Sequence, residues 1–350
     1  MGGRGLEQRR PRTVVIGTNW LGDTIMSLPA LAALREHLRG DEIHVEAPRP
    51  LGVLIRLAIP VDGILERDER LSTARRIRRL RQGGYDRAVL FPNSFRAAWI
   101  AWCAHIPRRC GYAGQWRGWL LSDPVRRAKP SQGMHHSESY LEIVRSLGWS
   151  GSRPPRVRLT IREESLRWAR EVVGDEARAG PLVGLCPGAA YGPAKRWGAS
   201  RFVEVASALR DRHGARIMLM GSAQEAGFIR GMAATLDRGV LDMSGRTDSE
   251  QLAALLALCD LVISNDSGAM HLAALLGTPV VALFGSTDPS ATAPMGPHRI
   301  VKASVQCSPC LKRKCLDGSY RCLEAITPAH VLAAAEAMLK EAVSRQGSPP

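Results

Sequence analysis

The sequence predicts an α/β protein built from two doubly wound, Rossmann-like parallel-sheet domains that face each other across a cleft. Near-continuous apolar segments alternate with helical patterns, as in parallel sheets covered on both faces. The alternation stops at a polar connection and then restarts. The length of 350 residues also exceeds what one hydrophobic core supports, which is about 250–300 residues.

Eight strands are predicted from the apolar segments. Those of the first block are 13–18, 43–47 and 87–91, and those of the second are 182–186, 216–221, 240–244, 260–264 and 279–285. The stretch SRPPRVRLT (152–160) reads as the connection between them, and AHVLAAAEAMLKEAVSR has the period of a helix. We expect a disordered basic tail (1–12), an N-terminal domain (13–165), a C-terminal domain (166–328), and a terminal helix with a disordered end (329–350).

Net charge separates the two halves of the chain. The formal charge is +15, and residues 1–180 carry 31 Lys and Arg against 19 Asp and Glu. The densest basic run is ARRIRRLRQ (74–82), which is either a solvated helix face or part of a surface for a polyanion. Only 5% of residues are aromatic, and no nucleic-acid-binding motif occurs, which argues against nucleic acid as a partner.

Targeting signals are not evident in the sequence. The first residues, MGGRGLEQRRPR, are followed by no apolar signal-peptide core, and no run reaches the ~18 apolar residues of a membrane span. We therefore expect a cytoplasmic protein.

Four of the eight cysteines are crowded within sixteen residues, in CSPCLKRKCLDGSYRC. Cys307, Cys310, Cys315 and Cys322 are zinc candidates, because such spacing in a cytosolic chain indicates metal or redox chemistry. The spacing is tighter than that of common zinc ribbons, so free thiols are the preferred interpretation, and no metal site is predicted.

The first of three strand ends that carry candidate functional residues lies in VVIGTNWLGDTIMSLPALAAL. Gly17 and Gly22 allow tight turns, and Asp23 falls near a helix start. Asp23 is either the helix N-cap, for which aspartate is well suited, or a general base that faces the cleft. No G-x-G-x-x-G dinucleotide fingerprint is present.

The second strand end is CPGAAYGPAKRWGASRF. Gly188 follows a strand directly, and Lys195 and Arg196 precede a helix predicted to begin near Ser200. An ammonium group, loop amides and a positive helix end suit a phosphate, although a plain surface pair of basic residues is the alternative. The loop is not a Walker A motif.

The third strand end is SNDSGAMHLAALLG. Ser267 and Gly268 can offer N–H groups to a phosphate at a helix N-terminus. Asp266 would repel phosphate, so it is expected to accept from ribose hydroxyls or loop amides, or to cap the helix. His271 alone is more typical of a buried histidine than of a ligand. No D-x-D motif occurs, which indicates that a diphosphate is handled without a metal.

Four stretches together resemble the bacterial heptosyltransferases of glycosyltransferase family 9. They are NWLGDTIMSLPAL, CPGAAYGPAKRW, SNDSGAMHLAALLGTPVVALFG and the cysteine block with ITPAHV, and they cover most of the chain in the family's order. The resemblance implies a GT-B fold with an N-terminal acceptor domain and a C-terminal ADP-heptose domain. It also implies inverting transfer of L-glycero-D-manno-heptose onto the first heptose of the lipopolysaccharide inner core.

The resemblance also implies roles for individual residues. Asp23 would be the general base, and Lys195 would hold the diphosphate. The expected donor-binding residues are Gly188, Lys195, Arg196, Glu225 (or its neighbour Gln224), Asp266, Ser267, Gly268, Met270 and His271. The expected acceptor-binding residues are Asn19, Trp20 and Gly22.

The implied partners are an anionic lipopolysaccharide-core glycolipid and the inner face of the cytoplasmic membrane, to which the basic half would be attracted. No cofactor beyond the substrate ADP-heptose, no nucleic acid and no protein partner is expected. Three alternatives stay open: the family's type I or III enzymes, another GT-B nucleotide-sugar enzyme such as a 2-epimerase, and a non-enzymatic polyanion-binding protein.

Overall fold

The computed structural model describes residues 9–68, 70–126, 134–174, 180–237 and 239–346, and of residues 342–346 the backbone alone. The chain divides into two units, unit 1 (Met1–Val157) and unit 2 (Arg158–Pro350). Each unit has its own parallel six-stranded sheet, so the prediction of two doubly wound α/β domains is confirmed.

The sheet of unit 1 has the strand order β3-β2-β1-β4-β5-β6. Its strands are β1 (Arg12–Ile16), β2 (Glu42–Pro48), β3 (Gly63–Arg67), β4 (Arg87–Leu90), β5 (Arg108–Tyr112) and β6 (Asp123–Val125). Its helices are α1 (Leu21–His37), α2 (Arg49–Ala58), α3 (Thr73–Gln82), α4 (Phe95–Cys103) and α5 (His136–Arg145), with a 3-10 turn at Gly118–Leu120. Val14, Val15 and Ile16 are all buried, and since successive strand side chains point to opposite faces, both faces of β1 are covered.

The sheet of unit 2 has the order β12-β11-β10-β7-β8-β9. Its strands are β7 (Leu182–Cys186), β8 (Arg216–Leu219), β9 (Val240–Asp242), β10 (Leu261–Asn265), β11 (Val280–Phe284) and β12 (His298–Lys302). Its helices are α6 (Glu163–Val173), α7 (Ala199–His213), α8 (Ala226–Leu236), α9 (Ser249–Leu258), α10 (Gly268–Leu275), α11 (Pro289–Thr292), α12 (Arg321–Glu324) and α13 (Pro328–Gln346), with a 3-10 turn at Pro193–Lys195. Every residue of β7, β10 and β11 is buried, as their apolar sequences predict.

Both sheets have the same topology, with the strand order reversing at one point in each. In unit 1 the reversal lies between β1 and β4, and in unit 2 it lies between β7 and β10. Open α/β sheets bind ligands at the carboxyl ends of the strands beside such a reversal. The three loops singled out in the sequence follow β1, β7 and β10, so all three lie at these edges.

Four strands were not predicted from the sequence: β3, β5, β6 and β12. Their sequences, GILER, RRCGY, DPV and HRIVK, are short or rich in charge. Three of them, β3, β6 and β12, are sheet edges, where one side of the strand is unpaired and apolar residues are less needed. A search for apolar runs therefore finds most of the interior strands and misses three of the four edge strands, and β9 is the edge strand that it finds.

The predicted domain boundary at residue 165 is wrong, because it would cut α6. That helix belongs to unit 2 and packs against α9. Arg162, just before α6, donates through its backbone N–H (3.1 Å) and its Nε (2.9 Å) to the buried carboxylate of Glu250 on α9. The hydrogen bonds from Arg162 also lower the pKa of Glu250. These contacts place the whole of α6 in unit 2, so the domain boundary lies before the first residue of α6.

The predicted disordered tail is wrong for residues 9–12, whereas residues 1–8 lie outside the described residues. Arg9 pairs with Asp86 at 2.7 Å, and Arg12 begins β1. At the other end, α13 is part of unit 2 and not a separate segment, since Val331 lies in the same buried cluster as α7. The predicted disordered end falls on residues 347–350, which are also outside the described residues.

Arg117 is a wholly buried guanidinium in unit 1. Its Nε donates to the carbonyl oxygen of Tyr112 at 2.7 Å, and its Nη1 donates to those of Pro92 (2.6 Å) and Ser94 (3.0 Å). Burial lowers the pKa of Arg117 to about 10. The side chain joins the carboxyl ends of β4 and β5, next to the point where the strand order reverses.

We expect Arg117→Met to lower the free energy of unfolding by about 2–4 kcal/mol, because buried carbonyl oxygens lose their donors. The exposed Arg78 provides the control, and Arg78→Met should change stability by about 0.5 kcal/mol or less. Thermal unfolding of both variants measures the difference. Equal melting temperatures for the two variants would show that Arg117 is not a structural link.

Candidate active site

The loop after β1 makes a close turn at Gly17. The Gly17 N–H donates to the carbonyl oxygen of Glu46 at 2.8 Å. A Cβ atom at Gly17 would lie 2.9 Å from that same oxygen, closer than real Cβ contacts. Glycine therefore lets the chain leave β1 against β2 and enter α1 at the carboxyl edge of the sheet.

Asp23 lies in the first turn of α1, where the helix dipole favours a negative charge. Trp20 is the N-cap residue, so the alternative in which Asp23 caps the helix is wrong. The Asp23 side chain is partly exposed. Its position leaves a carboxylate accessible beside the strand-order reversal of unit 1.

The residues predicted to bind the acceptor surround Asp23. Asn19 and Trp20 are exposed, with 49% of Trp20 accessible, and Gly22 is partly exposed. Arg67, the last residue of β3, donates to the carbonyl oxygen of Thr18 at 3.2 Å and also to the side-chain oxygen of Asn19. Arg67, which the sequence analysis did not identify, links the loop after β1 to β3 and adds positive charge there.

Asn265, the last residue of β10, joins the loops of unit 2. Its Nδ2 donates to the carbonyl oxygen of Pro187 at 2.7 Å, and its Oδ1 accepts from the backbone N–H of Trp197 at 3.2 Å. The side chain is fully buried. One amide therefore fixes the loop after β7 against the loop after β10. Sequence reasoning missed this role, and the only signal was an amide at a buried strand end.

Lys195 and Asp266 form an ion pair at the same edge. Lys195 Nζ lies 2.6 Å from Asp266 Oδ2, with side-chain exposures of 13% and 4%. Thr287 Oγ1 donates to the same carboxylate oxygen at 2.5 Å, and the Lys195 ammonium lies 4.8 Å from the centre of the Tyr191 ring. The N-cap residue of α10 is Ser267, so the alternative in which Asp266 caps the helix is wrong.

Gly188 lies directly against Glu225. A Cβ atom at Gly188 would lie 2.2 Å from Glu225 Oε1, so only glycine fits beside this carboxylate. Glu225 is 9% exposed and accepts from the backbone N–H (2.9 Å) and the hydroxyl (2.8 Å) of Ser222. Gln224 is exposed. The geometry thus brings Glu225, and not Gln224, to the loop after β7.

The remaining residues predicted to bind the sugar donor differ in their exposure to solvent. Arg196 is exposed, and Ser267 and Gly268 are partly exposed at the start of α10. Met270 and His271 are 0% and 3% exposed, so their side chains lie below the surface that Ser267 and Gly268 present. The structure therefore groups Ser267 and Gly268 with Lys195, and it does not bring Met270 or His271 to the accessible edge.

The cysteine loop, residues 307–322, contacts the loop that carries Lys195. The Tyr191 hydroxyl donates to the carbonyl oxygen of Leu311 at 2.7 Å, and the Ala194 N–H donates to that of Arg313 at 3.2 Å. The Leu311 N–H donates to the carbonyl oxygen of Ser286 at 2.8 Å. The cysteine loop thus braces the lysine loop against the end of β11, a role that the sequence did not reveal.

The four cysteines of this loop are free thiols and differ in exposure. Cys307 is exposed, Cys310 and Cys315 are intermediate, and Cys322 is buried. The Cys315 thiol donates to Asp317 Oδ1 at 3.0 Å. Within the described ranges, no three or more His, Cys, Asp or Glu side chains are grouped to hold a metal ion. The geometry therefore gives no support to the zinc candidates.

The two edges differ in chemistry. Unit 1 presents the Asp23 carboxylate, whereas unit 2 presents an amine paired with Asp266, a glycine loop beside the Glu225 carboxylate, and the N–H groups of a helix start. The second set suits a nucleotide diphosphate, because the amine and amides stabilise phosphate and a carboxylate accepts from ribose hydroxyls. Two such Rossmann-like units, one of them with an edge suited to a nucleotide diphosphate, are typical of the GT-B fold of nucleotide-sugar-dependent glycosyltransferases.

Comparison with known proteins identifies the family. Residues 73–321 match glycosyltransferase family 9 (heptosyltransferase). The chain is 33% identical to lipopolysaccharide heptosyltransferase 2 of Salmonella typhimurium, with 94% of this chain and 99% of that protein covered. Identity to the Escherichia coli K12 protein of the same name is 32%, covering 94% and 98%. The chain therefore belongs to glycosyltransferase family 9.

A solved structure supports the same assignment. The structure of E. coli ADP-heptose lps heptosyltransferase II superposes with a TM-score of 0.79 at 29% identity, covering 94% of this chain and 99% of that one. The family resemblance and the GT-B fold expected from the sequence are thus confirmed. Family membership makes the chain a glycosyltransferase, so the non-enzymatic alternative is wrong. None of the described helices combines the length and apolarity needed to cross a bilayer.

Proposed function

We propose that this enzyme transfers L-glycero-D-manno-heptose from ADP-heptose to the first heptose of the lipopolysaccharide inner core. The observation that carries the proposal is the Lys195–Asp266 pair at 2.6 Å beside the start of α10. This site suits the diphosphate of a nucleotide sugar. The full-length similarity to proteins named lipopolysaccharide heptosyltransferase 2 supports the choice of sugar and acceptor.

In the proposed complex, the diphosphate of ADP-heptose binds Lys195 and the N–H groups of Ser267 and Gly268. Asp266 holds the amine in place before the donor arrives, since both side chains are largely buried and Thr287 also donates to the Asp266 carboxylate. Glu225 accepts hydrogen bonds from the donor's hydroxyl groups. As the glycosidic bond breaks, negative charge grows on the β-phosphate, and the amine and amides stabilise it.

The proposed reaction is a single displacement with inversion at the anomeric carbon. Asp23 accepts the proton of the attacking acceptor hydroxyl while that oxygen forms its bond to the anomeric carbon. The bond from this carbon to the diphosphate oxygen breaks, and ADP leaves with the bonding electron pair. General-base catalysis of this kind typically contributes about 10²–10⁴-fold to the rate.

We propose that the transfer needs no divalent metal. The amine of Lys195 and the N–H groups of α10 take the charge-neutralising role, and the sequence has no D-x-D motif. We expect excess EDTA to leave the rate of ADP release unchanged. A matched reaction with EDTA and excess Mg²⁺ is the control. Loss of activity in EDTA that Mg²⁺ restores would contradict metal independence.

Gly188→Ala should weaken donor binding, because the new methyl group collides with Glu225. A displacement near 1 Å in such a site can cost about 10²-fold, so we expect the KM for ADP-heptose to rise by about 10–100-fold. Gly227→Ala on α8 is the matched control, since a Cβ atom there meets nothing within 4 Å. An unchanged KM in Gly188→Ala would show that Glu225 is not part of the donor site.

The proposed acceptor is an anionic glycolipid, and the charge of unit 1 fits it. Residues 1–157 carry 26 Lys and Arg against 14 Asp and Glu. Such a unit is attracted to phosphate groups on the lipid and to the anionic inner face of the cytoplasmic membrane. The proposal places the enzyme there as a peripheral protein and needs neither nucleic acid nor a protein partner.

A donor panel tests the proposal. With a lipid A–octulosonate acceptor that carries one heptose, nucleotide release is measured for ADP-heptose, UDP-N-acetylglucosamine and GDP-mannose. We expect release from ADP-heptose alone. Release from UDP-N-acetylglucosamine or GDP-mannose instead would contradict ADP-heptose as the donor.

A further inference from the structure

Unit 1 carries an exposed cluster of aromatic side chains, here called the aromatic patch. Its members are Phe95, Trp99, Trp102 and Trp119, with exposures of 41%, 38%, 42% and 63%, and Trp116, three residues before Trp119 in the chain, is 92% exposed. Four of the eight tryptophans of the sequence lie within this short segment, although only 5% of all residues are aromatic. The concentration of large exposed rings at one place is what distinguishes the patch.

Four of the rings form one continuous surface. The ring centres of Phe95 and Trp99 are 6.2 Å apart, those of Trp99 and Trp102 are 5.3 Å apart, and those of Trp102 and Trp119 are 6.1 Å apart. Phe95 and Trp119 close the circle at 6.4 Å. The rings pack on one another and still leave a large part of their area in water.

The patch is the outward face of α4 together with the 3-10 turn. Phe95, Trp99 and Trp102 recur at helical spacing, while Ala97 and Ile100 on the opposite face are buried in the core of unit 1. A helix on the outside of a soluble protein normally presents polar residues to water. An aromatic outward face therefore indicates a surface that is covered by something else in use.

The arginine-rich helix α3 lies beside the patch. Arg96 Nη2 donates to Thr73 Oγ1 at 3.0 Å, and Arg81 Nη2 donates to the carbonyl oxygen of Cys103 at 2.7 Å. The helix has no acidic residue, and Arg75 and Arg78 are exposed. An apolar aromatic surface is thus bordered by a row of positive charges.

We propose that the aromatic patch inserts into the interface of an anionic phospholipid bilayer and anchors unit 1 to it. The inference rests on the proposed function only in that a glycolipid acceptor lies in such a bilayer. Tryptophan rings favour the headgroup region, where the indole body is apolar and its N–H stays hydrogen-bonded. The arginines of α3 meet the lipid phosphates, and each contributes roughly 1 kcal/mol, or about fivefold in affinity.

Two other occupants fit the observations less well. A second copy of the chain would bring two α3 helices and two strongly basic units together, which repel each other. Single-stranded nucleic acid binds to ring faces that are free to stack with bases. Here the rings of Phe95 and Trp99 already stack on each other. A bilayer covers a continuous apolar surface and neutralises the charge beside it.

Vesicle binding tests the proposal without any sugar substrate. The purified protein is mixed with vesicles that contain phosphatidylglycerol or with vesicles of phosphatidylcholine alone, and binding is measured by co-sedimentation. Lipids with brominated acyl chains are then used to quench tryptophan fluorescence. We expect tighter binding to the phosphatidylglycerol vesicles, weakening with salt, and quenching by the brominated chains.

The variant Trp99→Ser/Trp102→Ser should lower the partition into anionic vesicles by about tenfold or more, because two large apolar groups no longer leave water. Arg75→Gln/Arg78→Gln should lower it about 25-fold on anionic vesicles and little on phosphatidylcholine. Leu316→Ser, which changes an exposed apolar residue of unit 2, is the control and should bind as the wild type does. Circular dichroism checks that each variant is folded.

Activity separates this proposal from the proposed function. On a detergent-solubilised acceptor, the tryptophan variant should keep wild-type turnover, whereas on vesicle-embedded acceptor its rate should fall. The proposal is overturned if wild-type protein ignores anionic vesicles, if brominated lipids do not quench, or if the tryptophan variant binds as well as the wild type. Dimerisation or nucleic-acid binding that needs the patch, without vesicle binding, would also overturn it.

Discussion

Asp23→Ala is expected to lower kcat for heptose transfer by about 10²–10⁴-fold, the range of one general base. The reason is positional, because Asp23 is a partly exposed carboxylate in the first turn of α1, at the carboxyl edge of the unit 1 sheet. Without it, no carboxylate at this position accepts the proton of the acceptor hydroxyl. Affinity for ADP should stay within about twofold, since we assign the nucleotide to unit 2.

Two further variants sharpen this test. Asp23→Asn keeps the shape of the side chain but removes its basicity, so it should lose nearly as much rate as Asp23→Ala. Glu138→Gln changes another first-turn acid, on α5, and should leave the rate unchanged. Steady-state ADP release and calorimetric titration with ADP measure both effects. Wild-type turnover in Asp23→Asn would remove Asp23 from the mechanism.

Lys195→Ala is expected to lower kcat by about 10²–10³-fold and to raise the KM for ADP-heptose, because the charge that grows on the leaving diphosphate loses its cation. It should also lower stability, since Asp266 is 4% exposed and would be left as a buried charge without its ammonium partner. Rate and melting temperature are measured on the same preparation.

The double variant Lys195→Ala/Asp266→Asn separates the two effects. Removing both charges should recover much of the lost stability, yet the rate should stay low because no cation is restored. Lys302→Ala, on β12, is the matched control and should change neither quantity. A double variant with recovered turnover would mean that Lys195 serves only to neutralise Asp266.

The centres of both sheets could be predicted from the sequence because burial on two faces demands apolar runs such as LVGLC and VVALF. Edge strands such as HRIVK escape this reasoning, since charge is tolerated at a sheet edge. The burial of Arg117 is a second feature that the sequence did not predict. Arginine is rarely buried, and only the three-dimensional arrangement of carbonyl oxygens around residue 117 explains why it is buried here.

The loops of the candidate site could also be predicted, because glycine, lysine and aspartate follow buried strands directly. Their mutual contacts could not be predicted. Asp266 is about seventy residues from Lys195 in the chain, and the cysteine loop that contacts the Lys195 loop lies still further along. Only tertiary structure brings such residues together. The aromatic patch was likewise invisible, since a run such as AAWIAWC is as typical of a buried helix.

The most direct test of the central claim is ADP release with two acceptors measured side by side. One is a lipid A–octulosonate glycolipid that already carries one heptose, and the other carries none. The proposed function predicts ADP release from ADP-heptose with the heptosylated acceptor only. Release only with the acceptor that lacks heptose would contradict the claim and indicate a type I enzyme instead.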